Sequence, residues 1–231
     1  MPSTVKTLHF ISSALITAIS VGLMGYAMSI QWARTTIQCA RGGSGLFNGT
    51  AILRLELFSG HLERTSCPSF GGDERFNVFP KLRETGVTPL ALYSMVLCLL
   101  VLCLLFSACS ILICLYNSIS NPYETYMGPI GVYTCSSLSA CLSVLALIVF
   151  VLNINVTNMA EDLVKNFAGG LLVDLKNKSS EMQLGYYLII PYTVLCLGAI
   201  AVIYNYDHAA YKQRKEQQRP TEDAPKEIMM Y

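Results

Sequence analysis

Four stretches of the chain lack the polar stripe, roughly every 3.6 residues, that a water-facing helix carries. They cover residues 8–30, 90–116, 130–152 and 186–206. Each supplies the ~20 apolar residues that a bilayer core demands at a rise of about 1.5 Å per residue. The pattern predicts four transmembrane helices. Pro191 interrupts the last, which a membrane helix tolerates because its neighbours satisfy the freed carbonyl. The first block has a second reading, a secretory signal peptide ending at Ala27-Met28-Ser29, but its apolar run exceeds a signal peptide's hydrophobic region.

The polar segments are residues 1–7, a first loop 31–89, a second loop 117–129, a third loop 153–185 and a tail 207–231. Within the first loop, Leu53-Arg54-Leu55-Glu56-Leu57 alternates apolar and charged residues with the period of a half-buried strand. Arg75-Phe76-Asn77-Val78-Phe79 alternates too, with Pro80 expected to end it, and glycine clusters at 41–45 and 71–72 mark turns. The alternatives here are a small sheet of two to five strands and an irregular loop; the sheet is the expectation. Residues 159–173 read as helix, with Leu163, Phe167 and Gly170 on one face. The expected fold is an all-α membrane protein, a four-helix transmembrane bundle with a small extracellular β-sheet in the first loop.

Composition agrees: 53% of the 231 residues are hydrophobic and 13% charged, about half the charge of an ordinary soluble domain. The net charge of +1 provides no field that would gather nucleic acid. Four spans place both termini on one side. Lys6 before the first span and Lys212, Arg214, Lys215 and Arg219 beyond the last put that side in the cytosol, although the long first loop carries seven basic residues of its own. The sequons Asn48-Gly-Thr50 and Asn177-Lys-Ser179 fall in the exterior loops, so both asparagines are expected to carry glycans. Asn155-Val-Thr157 also fits but abuts the third span.

Sorted by compartment, Cys98, Cys103, Cys109, Cys114, Cys135, Cys141 and Cys196 fall in the membrane, where cysteine packs as a small apolar residue. Cys114, near the cytosolic end of its span, is also a candidate for palmitoylation. Cys39 and Cys67 face the exterior, where two cysteines allow one connectivity. They are a disulfide stapling the sheet, or two unpaired thiols; the disulfide is the expectation.

No span core contains Asp, Glu, Lys, Arg or His, which argues against a proton relay, voltage sensor or intramembrane protease. His9, His61 and His208 lie in separate segments without metal-ligand spacing, and no phosphate-cradling or nucleophile motif occurs. No enzyme, metal, cofactor, small-molecule substrate or nucleic-acid partner is expected. A pore would have to be built from the hydroxyls of Thr17, Ser107, Ser136, Ser139 and Thr193. Small residues do recur at helical spacing: Ala14, Ala18 and Gly22 in the first span, and Ser136 with Ala140 and Ser139 with Ser143 in the third. They serve packing within the bundle, or a lateral partner or second copy. The tail is charged and proline-bearing yet ends in Ile228-Met-Met-Tyr231. Met229 and Tyr231 suit the two pockets of a PDZ groove, where a peptide adds a strand and its carboxylate is held by a backbone nest. The alternative is contact with the inner leaflet beside the basic cluster at 212–219.

Particular strings resemble the clarin family: Tyr116-Asn-Ser-Ile-Ser-Asn-Pro-Tyr123 and Gly128-Pro-Ile-Gly-Val-Tyr133, with Asn117, Pro122, Tyr123, Gly128, Pro129, Gly131 and Tyr133 as the motif positions. Residues 1–8 and 213–225 are similar to clarin termini, and Trp32, Cys39 and Gly45-Leu46-Phe47 to the clarin first loop. More distantly the first loop resembles the Trp, Gly-Leu-Trp and paired-Cys signature of claudins. The segment 51–63 departs from it as an apparent insertion. The resemblance implies a claudin-like, four-span protein of the plasma membrane that organises membrane, cytoskeletal or channel complexes, including in sensory cells.

Overall fold

The computed structural model describes residues 2–41, 48–66, 72–119, 128–168 and 171–217. Its order is α1 (Pro2–Ser29), β1 (Ala33–Arg41), β2 (Gly49–Leu55), β3 (Ser59–Thr65), β4 (Gly72–Asn77), α2 (Val78–Thr85), α3 (Val87–Ile119), α4 (Gly128–Val156), α5 (Met159–Phe167), β5 (Val173–Met182), α6 (Leu184–Tyr187) and α7 (Ile189–Gln217). Segments Thr4–Ser29, Val87–Ile119, Gly128–Val156 and Leu184–Lys212 are long and apolar enough to cross a membrane. Helix α1 neighbours α3 and α7, and α4 neighbours the same two, so the four close into a ring.

The interior of the bundle mixes large apolar residues such as Phe10, Met24, Leu100, Phe150 and Ile203 with hydroxyl residues such as Ser13, Thr17, Ser20, Ser107, Ser110, Ser136, Ser139 and Ser143, while Leu8, Leu15, Leu102, Leu105, Leu112 and Leu115 point outward. Lipid tails are as apolar as leucine, so helices gain little by hiding leucine from them; close backbone approach and interhelical hydrogen bonds hold the bundle instead. Ser110 meets Ser136 at 3.2 Å, Ser107 meets Ser139 at 3.2 Å, and Ser143 meets Thr193 at 2.8 Å. The Tyr192 hydroxyl joins Ser107 at 2.8 Å and contacts Ser139.

At one end of the ring, beside the exits of α1 and α4 and the entries of α3 and α7, sits a five-stranded antiparallel sheet in the order β4-β3-β2-β1-β5. Its inner face alternates as a half-buried sheet must: Ile37, Ala51, Leu53, Leu55 and Leu62 are buried and join Val78 and Leu82 of α2 and Leu163 and Val164 of α5 in one core. Phe76 packs on Phe167 with ring centres 5.0 Å apart, and Arg64 of β3 donates to the Phe167 carbonyl at 3.0 Å. Lys81 holds Glu84 at 2.7 Å, and that bond keeps the Glu84 carboxyl below its usual range; Asn166 of α5 donates to the same carboxylate at 3.2 Å.

Three details differ from the sequence reading. The second alternating segment ends at Asn77: Val78 and Phe79 begin α2, and Pro80 sits in its first turn, where a missing N–H costs nothing. The third loop is only partly helical, because α5 stops at Phe167 and Val173–Met182 pairs with β1 as an edge strand. Cys114 is fully buried, its Sγ 3.7 Å from Ser13 Oγ, so it faces the bundle rather than the surface that a palmitoyl chain needs.

Candidate functional site

Where the chain leaves α1 for the sheet, one residue joins every layer. Trp32 is fully buried, and its indole N–H donates to the Ala27 carbonyl at 2.7 Å. Its ring meets Phe150 edge-on at 5.1 Å and lies 6.5 Å from Tyr186. Its backbone N–H donates to Leu55 of β2, and its carbonyl accepts from Gln183, both at 2.8 Å. Gly185 makes room for the indole, since a Cβ there would stand 2.6 Å from Trp32 Cδ1 and 2.8 Å from the Gln31 carbonyl. Tyr93 of α3 completes this aromatic layer and donates its hydroxyl to the Glu56 carbonyl.

The sheet's other face is polar. Cross-strand register sets Arg34 opposite Arg54, Arg54 opposite His61, and His61 opposite Arg75, a basic row across four strands. Glu63 answers Arg54 at 3.1 Å, and Asp73 answers His61 at 2.6 Å, one row farther along. Like charges directly opposite one another destabilise a sheet, and the acidic row offsets that cost.

Cys39 is disulfide-bonded, and the seven cysteines of the spans are free thiols. Its expected partner Cys67 lies outside the described residues. Gly49, paired with Cys39 in the ladder, has no room for a side chain: a Cβ there would be 3.0 Å from Cys39 Sγ and 2.3 Å from the carbonyl of Ser66. Ser66 adopts φ 54°, turning the chain out of β3 at the residue before Cys67.

Of the candidate glycan sites, Asn48 is exposed just before β2, and Asn177 is exposed within β5. Asn177 occupies a β-bulge: Thr36 pairs with Ser179 and Gln38 with Lys176, so Asn177 and Lys178 share the place opposite Ile37. Its φ of 54° suits asparagine, and its Nδ2 donates to Gln38 Oε1 at 2.8 Å. Asn155 lies in the last turn of α4.

Of the small-residue sets, Ser136, Ser139, Ala140 and Ser143 are buried in the bundle, as is Ala14. Ala18 is exposed, and the places where Gly22 and Gly25 would carry a Cβ have nothing within 4 Å. The pore candidates Thr17, Ser107, Ser136, Ser139 and Thr193 are each hydrogen-bonded to protein groups, Thr17 to the Ser13 carbonyl at 2.9 Å. At the opposite end from the sheet, Asn117 is buried at the end of α3 and donates to the Ile113 carbonyl at 2.8 Å. Gly128 opens α4 with φ 28°, Pro129 fills its first turn, and Gly131 is buried. With Phe106 and Leu138 these three line an apolar groove of about 470 Å³ on the bundle's outside. Tyr133 is half-buried nearby. Gly45, Leu46, Phe47, Pro122, Tyr123, Met229 and Tyr231 lie outside the described residues.

The family model that matches is described as Clarin-2-like and covers residues 5–173, well over half of the chain. The chain belongs to the clarin family. It is 32% identical to Clarin-3 of Mus musculus and 31% identical to Clarin-3 of Homo sapiens, each match covering the whole of both proteins. Clarin-1 of Homo sapiens is 23% identical across 82% of this chain and 83% of its own length. This clarin is a multi-pass membrane protein, and among the motif positions expected from its sequence Trp32, Asn117 and Gly131 are buried. Missing from the sequence reading was the partnership of Trp32 with Gly185, which are far apart in the chain and carry no shared local pattern.

Proposed function

We propose that this clarin is a non-enzymatic lateral organiser of the plasma membrane, assembling membrane, cytoskeletal or channel complexes through helix α1. The open small-residue face at Ala18, Gly22 and Gly25 carries this reading. Such a face lets a partner helix, from another protein or a second copy, approach closely where the bundle itself does not use it. Gly22→Leu fills that face without touching the bundle. Lateral cross-linking in native membranes is expected to fall about tenfold, a loss of about 1.4 kcal/mol, at unchanged expression; undiminished cross-linking overturns the reading. Against the channel alternative, its pore-lining candidates are engaged in hydrogen bonds within or between the helices. Adhesion in trans through the sheet remains the second reading, favoured by the polar outer face, and cell-aggregation assays separate the two.

The orientation we propose puts both termini in the cytosol and the sheet outside, with glycans on Asn48 and Asn177 and a disulfide between Cys39 and Cys67. The exposure of both asparagines supports the glycans. Glycosidase treatment is expected to sharpen and speed the protein's gel migration, with Asn48→Gln and Asn177→Gln each removing one step. Unchanged mobility of the wild type counts against this orientation. At the tail, Met229 and Tyr231 are proposed to enter a PDZ-type scaffold. One residue added after Tyr231 displaces the carboxylate and is expected to abolish scaffold pull-down; retention after the extension favours inner-leaflet contact instead.

A further inference from the structure

On the open face of the sheet, close to the bundle, lies a cleft of about 300 Å³ lined by Gln31, Arg54, Glu56, Ser59, Gly60, His61 and Arg75. Its position relative to the bilayer follows from its neighbours. Gln31 is two residues past the end of α1, and Glu56 is bonded through its carbonyl to Tyr93, seven residues into α3. Tyr26, in the last turn of α1, and Tyr187, at the end of α6, are exposed rings of the kind that mark a membrane–water boundary. Phe58, on the turn between Glu56 and Ser59, is 52% exposed beside the cleft's rim. An aromatic ring left bare at that depth suits the zone where headgroups meet acyl chains.

The lining is unfinished. Gln31 Nε2 and His61 Nδ1 are shielded from solvent and have no hydrogen-bond partner among the described residues. His61 Nε2 is held by Asp73 at 2.6 Å, and His61 is among the residues that line the cleft. Arg54 gives one N–H to Glu63 and keeps others for the cleft. Arg75 is exposed, and no ion pair engages it among the described residues. Glu56 accepts from Ser59 through one carboxylate oxygen, leaving the second. Glu63 answers Arg54, so Arg75 and Glu56 leave the lining with one positive and one negative charge, the complement of a zwitterion.

We propose that this cleft binds the zwitterionic headgroup of a phospholipid from the leaflet beneath the sheet. Arg75 and Arg54 hold the phosphodiester, with the Gln31 amide as a further donor, and Glu56 faces the ammonium. Guanidinium is the side chain whose planar donors best match a phosphate. The bilayer supplies this ligand at high local concentration, so a modest site fills.

The test is native mass spectrometry of the full-length protein in detergent, titrated with phosphatidylcholine, phosphatidylglycerol and soluble glycerophosphocholine. Phosphatidylcholine is expected to stay bound. Arg75→Gln is expected to weaken it about tenfold, while Arg34→Gln, in the same basic row but outside the cleft, leaves it unchanged. Glu56→Gln should weaken phosphatidylcholine but not phosphatidylglycerol, which lacks the ammonium. The melting temperature of each variant, expected to match the wild type, separates lost binding from lost fold. Equal weakening by Arg34→Gln and Arg75→Gln, no weakening by either, or glycerophosphocholine binding as tightly as the lipid overturns the proposal.

Discussion

Trp32→Ala is expected to lower stability by about 3–5 kcal/mol, the usual cost of emptying a large aromatic site in a core that cannot collapse. The indole is fully buried between α1, the sheet and α4, so its loss also orphans the Ala27 carbonyl and removes the edge-on contact with Phe150. Gly185→Ala should destabilise for the complementary reason, since its Cβ would intrude on Trp32 Cδ1 at 2.6 Å. The two changes share one space and should not add: in the Trp32→Ala background, Gly185→Ala costs less than it does alone. Thermal unfolding of the four proteins in the same detergent checks this. An unchanged midpoint for Trp32→Ala, or full additivity, would show that the joint between bundle and sheet lies elsewhere.

The bundle was legible because lipid imposes a simple rule, and the four apolar blocks obey it over their whole lengths. Which face of each helix turns inward was harder to read. Leucine dominates α3, yet of its leucines only Leu99 and Leu100 are buried, in a stripe with Tyr93, Val96, Cys103, Ser107, Ser110 and Cys114. No hydrophobic period marks the small, hydroxyl-bearing half of that stripe as the inward face. The sheet was half legible. Leu53-Arg54-Leu55 alternates cleanly and belongs to β2, but β5 hides its alternation behind the bulge at Asn177. Val173 and Leu175 take alternate places before the bulge; after it the phase shifts, and Lys178, Ser180 and Met182 take the half-buried places instead. Polar partners receive two of them: Lys178 donates to the Thr157 carbonyl at 3.0 Å, and Ser180 meets Thr35 at 3.0 Å. A strand whose inward residues are lysine and serine carries no hydrophobic period to detect.

The interaction surfaces were less legible still, because they depend on register. Arg34, Arg54, His61 and Arg75 are scattered along the chain and become one row only through three strand pairings. Likewise Ala14, Ala18 and Gly22 share a helical spacing, but burial separates Ala14 from the other two. Spacing located the face; only packing told which part of it the bundle leaves open.

Cys39→Ser and Cys67→Ser are each expected to cost about 3–4 kcal/mol, with the double variant costing no more than either single one. The proposed bridge closes a loop of about 29 residues, and the chain-entropy model assigns such a loop that much stabilisation. Most of that loop is sheet: β2 and β3 lie inside it, and β1 pairs with β2 next to it. Losing the bridge therefore loosens the strands that carry the basic row and the inner-face leucines, while the membrane helices keep their own hydrogen bonds. Limited proteolysis should accordingly cut between residues 40 and 72 in the serine variants and leave the spans intact. Peptide mapping without reduction should find Cys39 and Cys67 in one cross-linked species. Recovery of both as freely alkylated thiols would remove the bridge, and with it the reason for Gly49 to leave space beside Cys39 Sγ and the Ser66 carbonyl.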